Sequence, residues 1–199
     1  MKRFGLTGGV ACGKSTVAAI LRQMGSHVLD ADALWHDLAK PGSYVLTRIA
    51  EEFGARTINE DGSLNRKELA AKVFGDDYAR AKLNAITHPH VNASAEEKFA
   101  ELEDDRATHV FYESALIFET HTQHKFDATV TVWAPAKAQI DRLFIRNGIE
   151  RAEAEQRIAA QLRTLDKIKL ATHDIYTGGT LDEVWEETAY VRRALTHSL

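Results

Sequence analysis

Eight consecutive residues carry the strongest chemical signal in the chain. Gly8-Gly9-Val10-Ala11-Cys12-Gly13-Lys14-Ser15 fits the pattern G-x-x-x-x-G-K-[ST]. Glycines let a backbone curl until successive N–H groups point inward, where they can hold phosphate oxygens. A helix starting near Gly13 adds the positive end of its dipole. In such a loop Lys14 bridges the β- and γ-phosphates of a nucleotide and the Ser15 hydroxyl binds Mg²⁺. Thr16 can donate to the α-phosphate. The implied ligands are the phosphates of a nucleotide and Mg²⁺, with Gly8, Gly9, Ala11, Cys12, Gly13, Lys14, Ser15 and Thr16 as the cradle. An ordinary glycine turn is the bland alternative. The context speaks against it: a short apolar strand precedes the loop and an amphipathic helix follows it. Cys12 stands at the mouth of that helix, two residues from Lys14, and its pKa is expected to be lowered. A buried, inert thiol is the other reading.

Moving a phosphoryl group also requires something to take the acceptor's proton. Asp30-Ala31-Asp32 ends the second strand, and ligands of open parallel sheets bind beyond the carboxyl ends of strands. Either aspartate could instead cap the next helix; Asp32 is preferred as the base. Glu113 ends the apolar stretch Val110-Phe111-Tyr112 and could hold a Mg²⁺-bound water, or serve only as a structural carboxylate. Arg142 and Arg146 are one helical turn apart, opposite Ile140, Leu143 and Phe144. Such a pair can neutralise a transferring phosphoryl, or simply be a solvated face. Arg157 and Gln161 repeat the spacing with weaker claims. His88, His90, His121 and His124 have no metal-like spacing.

The elements that must position these groups follow from hydrophobic periodicity. Strands are expected at residues 4–7, 27–30, 109–112, 128–133 and 174–176. Helices are expected at residues 14–24, 43–53, 66–74, 79–86, 91–102, 135–147, 150–165 and 181–195, with His88-Pro89 as an interruption. Strands alternating with helices indicate an α/β, doubly wound parallel sheet. The formal charge of −4 gives no basic footprint for nucleic acid, and the single cysteine excludes an internal disulfide. No apolar run approaches the roughly 20 residues of a membrane span. No N-K-x-D or D-x-x-G is present, which argues against a regulatory GTPase. A cytoplasmic enzyme, monomeric or weakly homo-oligomeric, is expected.

Over nearly its whole length the chain resembles the dephospho-coenzyme A kinase family. The residues that carry this are Gly5-Leu6-Thr7-Gly8-Gly9 with Gly13-Lys14-Ser15-Thr16, Val28-Leu29-Asp30-Ala31-Asp32, Pro41-Gly42 and Phe53-Gly54. Further along come Asp61-Gly62-Ser63-Leu64-Asn65-Arg66, His88-Pro89, Leu116-Ile117-Phe118-Glu119, Gln139 with Arg142 and Arg146, and Arg157 with Gln161. Ala11, Cys12, Glu113 and Ala115 depart from the usual Gly, Ser, Asp and Pro, and the loop Thr177-Gly178-Gly179 departs from the pattern near the adenine. The resemblance implies a P-loop fold: a five-stranded parallel sheet with flanking helices, a helical substrate-binding insertion and a helical lid. It places the nucleotide-binding core at about residues 1–31, 106–136 and 166–199, the coenzyme A insertion at about 32–105 and the lid at about 137–165. It implies ATP, Mg²⁺ and dephospho-coenzyme A as ligands, Asp32 as base, and Lys14, Arg142 and Arg146 as stabilisers of the moving phosphoryl. Another small-metabolite kinase, such as a shikimate kinase, is the rival enzyme; the long insertion and the Asp61–Arg66 motif speak against it. A nucleotide-switched binding protein is the rival from another class.

Overall fold

The computed structural model describes residues 1–197; the last two residues of the expected core segment 166–199 lie outside them. Five strands form one sheet: β1 (Lys2–Gly8), β2 (His27–Asp30), β3 (His109–Glu113), β4 (Ala128–Trp133) and β5 (His173–Tyr176). Their order is β2-β3-β1-β4-β5, and every pairing is parallel. The helices are α1 (Lys14–Gln23), α2 (Ala31–Leu38), α3 (Tyr44–Phe53), α4 (Arg66–Val73), α5 (Asp77–Asp104), α6 (Ala136–Asn147), α7 (Arg151–Ala159), α8 (Thr164–Leu170) and α9 (Leu181–Thr196).

β1 is the middle strand and is buried from Phe4 to Gly8, as a parallel strand covered on both faces must be. Leu6, Phe111, Val130, Val132 and Ile175 of the sheet pack with Val17 and Leu21 of α1 and Val184 and Val191 of α9. A capping box starts α9: Thr180 accepts from Glu183 N–H while the Glu183 carboxylate accepts from Thr180 N–H. β1 and β2 are consecutive in the chain but not adjacent in the sheet, because β3 lies between them. The chain therefore reverses direction around β1, with β3 on one side and β4 on the other. A crevice opens beyond the carboxyl ends of strands at such a switch point.

Contacts divide the chain into two units. One comprises Met1–Asp30 with Glu103 onward; the other is Ala31–Leu102. The second unit has its own core, in which Val45, Leu46, Ile49 and Phe53 of α3 and Leu69 of α4 bury together. Two helix expectations need correcting. α5 runs unbroken through His88-Pro89. Pro89 removes one helical N–H, but one missing bond does not end a helix whose Thr87, Ala95 and Phe99 are buried. The helix expected over residues 150–165 stops at Ala159, and α8 follows as a separate element.

Candidate active site

The glycine loop leaves the carboxyl end of β1 and runs into α1. Gly8 must be glycine: a Cβ there would lie 2.1 Å from the Val132 carbonyl oxygen. Gly13, the N-cap of α1, has φ 92°, a conformation that L side chains rarely adopt. No side chain caps this helix end. The N–H groups of Gly13 and Ser15 find no acceptor in the protein among the described residues, while Lys14 N–H faces the buried Cys12 sulfur. Orphan donors at a helix N-terminus inside a glycine loop form a cradle for anionic oxygens. Lys14 Nζ donates to the carbonyls of Gly8 (3.1 Å) and Gly9 (3.2 Å), which folds the ammonium over the loop. The Ser15 and Thr16 side chains are exposed. Hydroxyl and carboxylate oxygens are ligands that Mg²⁺ takes, so the side chains of Ser15 and Glu113 are of the chemical type that fits that ion.

Three successive residues of the loop are each held from outside by a different element. Val10 N–H donates to Gln161 Oε1 at 2.7 Å, from the segment between α7 and α8. The Ala11 carbonyl accepts from Arg142 Nη1 of α6 at 3.2 Å. The Cys12 carbonyl accepts from the hydroxyl of Thr177, just beyond β5. Arg142 also donates to the Thr177 hydroxyl (3.2 Å) and, through Nη2, to the Thr177 carbonyl. Val10 and Ala11 pack against Leu143, Ile149 and Ala154, the small core of α6 and α7. Ala11 holds φ 53°, a left-handed backbone that costs a non-glycine residue about 1–2 kcal/mol, and these contacts oppose that cost.

The remaining candidates fall in several places. Glu113, 9% exposed, ends β3, in register with Asp30 on β2 and Leu6 on β1. The carboxylates of Asp30 and Glu113 thus stand side by side at the carboxyl edge of the sheet, and β3 rather than β2 neighbours the strand that carries the loop. Asp32 is exposed in the first turn of α2, within the second unit. Arg146 is exposed, and its Nε donates to Asn147 Oδ1 at 2.8 Å, whereas Arg142 is half-buried on the loop. Cys12 departs from expectation: its thiol is buried, and burial pushes its pKa up despite the opposing pull of Lys14. Its side chain faces the sheet core with Leu6 and Val132, so the helix end acts on a group shielded from water.

Two features carried little or no sequence signal. Thr177 was visible only as part of a loop near the base, yet its hydroxyl and carbonyl join the glycine loop to α6. A fully buried Lys167 on α8 pairs with Glu119 Oε1 at 2.7 Å and donates to the Ala115 carbonyl at 2.8 Å. The same Glu119 oxygen accepts from Leu162 N–H at 3.1 Å.

A parallel sheet with a phosphate cradle at the end of its middle strand is the fold of the P-loop kinases. Shikimate kinase from Acinetobacter baumannii shares it at a TM-score of 0.52 and 15% identity over 100% of this chain and 94% of that one. Dephospho-CoA kinase from Campylobacter jejuni aligns at a TM-score of 0.72 and 24% identity over 100% of this chain and 99% of that one. A crystal structure from Thermus thermophilus reaches a TM-score of 0.86 at 32% identity, covering 98% and 97%. The family model described as dephospho-CoA kinase matches residues 3–183. The dephospho-CoA kinase of Anaeromyxobacter dehalogenans is 44% identical over 90% of this chain and 85% of its own. That of Syntrophotalea carbinolica is 39% identical over 92% and 87%. The chain belongs to the dephospho-CoA kinase family.

Proposed function

We propose that this chain transfers the γ-phosphoryl of ATP to the ribose 3′-hydroxyl of dephospho-coenzyme A, giving coenzyme A and ADP, the last step of coenzyme A synthesis. The observation that carries the reading is the family match over residues 3–183, joined to a loop whose orphan N–H groups suit polyphosphate. Nucleotide phosphates lie on Gly8, Gly9, Ala11, Cys12, Gly13, Lys14, Ser15 and Thr16. Ser15 and Glu113 hold Mg²⁺, which neutralises charge on the phosphates when bound. Asp32 takes the hydroxyl proton. Lys14 and the lid arginines, Arg142 and Arg146, face the charge of the moving phosphoryl. Arg142 still has donors to give, since its contacts on the loop use three of its five N–H groups. The helical segment around residues 32–105 takes the pantetheine-bearing acceptor. No helix among the described residues is long and apolar enough to cross a membrane, in keeping with a cytoplasmic role.

The test is direct: incubate the protein with ATP, Mg²⁺ and dephospho-coenzyme A and follow coenzyme A by mass. Coenzyme A should form, with shikimate and nucleoside monophosphates essentially untouched. Equal rates on shikimate would sink the assignment.

A further inference from the structure

The glutamine that touches the glycine loop is the wrong way round for a simple buttress. Val10 contributes an N–H, so the end of the Gln161 amide that meets it, at 2.7 Å, must be the carbonyl oxygen. The amide NH₂ is therefore turned elsewhere, and it donates to no protein acceptor among the described residues. The Val10 N–H belongs to the peptide whose carbonyl, on Gly9, accepts from Lys14 Nζ at 3.2 Å. Lysine in such a loop spans the β- and γ-phosphates. Gln161 is thus attached to the same peptide unit as the ammonium that marks the terminal phosphate.

The residue is also held still. Its own N–H donates to the Ile158 carbonyl at 3.2 Å, closing the end of α7. The next N–H, on Leu162, is held by Glu119, and Glu119 is fixed by the buried ammonium of Lys167. A half-buried amide anchored through its oxygen on Val10, on a backbone held at Gln161 and Leu162 and with its donors beside the phosphate cradle, is a preorganised dipole.

Resting on the kinase function proposed above, we propose that Gln161 is a catalytic residue: its carbonyl anchors on Val10 and its NH₂ donates to the oxygens of the transferring phosphoryl. Gln161→Glu separates this from a mere tether. It keeps an oxygen for Val10 N–H but loses both donors and brings a negative charge.

The variants to compare are Gln161→Glu, Gln161→Ala and, to withdraw the same amide by one methylene, Gln161→Asn. Turnover should fall about 10²-fold in Gln161→Ala and further in Gln161→Glu, with Gln161→Asn also impaired. Calorimetric binding gives a second readout that does not depend on turnover. A β,γ-methylene analogue of ATP should bind Gln161→Glu and Gln161→Asn at least about tenfold more weakly than wild type, and ADP within about twofold. The proposal is overturned if Gln161→Glu is as active as wild type or more active than Gln161→Ala. It is equally overturned if each variant loses ADP and the analogue alike, which is what a loosened or misfolded loop would give. Failure of the wild-type protein to make coenzyme A would strike the kinase assignment instead, because the analogue-against-ADP comparison needs no acceptor.

Discussion

At the scale of single residues, the loop shows how neighbouring side chains with similar addresses take opposite roles. Lys14 and Cys12 are two apart, yet one ammonium folds over the cradle while the thiol turns into the core. Burial dominates the thiol's environment and raises its pKa, so thiolate is scarcer at neutral pH than in an exposed cysteine. Iodoacetamide at pH 7.5 should therefore leave Cys12 unmodified in the native protein and alkylate it fully in urea, as read by mass. Rapid native labelling would contradict the burial. A second test addresses Asp32 as the proposed base. Asp32→Asn keeps size and removes basicity, so turnover should drop by about 10²-fold or more while ATP affinity stays close to wild type. Asp30→Asn should hurt less. The reverse order in a steady-state assay would move the role to Asp30, whose place beside Glu113 at the sheet edge gives it a claim of its own.

At the scale of elements, the buried Lys167–Glu119 pair is the contact most exposed to test. Removing one partner of a buried pair leaves a charge without compensation, typically a loss of about 3–5 kcal/mol. Lys167→Met should lower stability by about 3 kcal/mol in urea unfolding, and Lys167→Met with Glu119→Leu should recover much of it. Equal stability of wild type and the single variant would show that the pair contributes nothing. This pair also explains what the sequence hid. A lysine at the inward position of α8 breaks the apolar stripe that would announce the helix, and the partner that makes burial possible lies 48 residues away (167 − 119). The glycine loop was legible because its chemistry is local: spacing, a preceding apolar strand and a following amphipathic helix sit in one stretch. The five strands were legible for the same reason. Their order was not, since only long-range pairing places β3 between β1 and β2 and brings Glu113 beside Asp30. Gln161 could be singled out by its spacing from Arg157, but its hold on Val10 spans 151 residues of sequence and leaves no local trace. Pro89 misled because proline was read as a stop, whereas buried neighbours carry α5 past it.

At the scale of the whole molecule, the chain comprises two units with separate cores, and its tryptophans are divided between them. Trp35 packs on the core of the second unit, while Trp133 ends β4, with its indole N–H on Asp174 at 2.7 Å, and Trp185 lies on α9 of the first. The emission of the protein is thus a mixture of two reporters that can be separated by substitution. Trp35→Phe leaves light from the first unit alone, and Trp133→Phe with Trp185→Phe leaves light from the second alone. A nucleotide that binds only the folded first unit stabilises it by RT ln(1 + [L]/Kd). Saturating ATP should move the melting transition seen by Trp133 and Trp185 upward and leave the one seen by Trp35 in place. Coincident shifts from both reporters would mean that the two cores melt as one, and that the unit we propose takes the acceptor is thermally tied to the glycine loop.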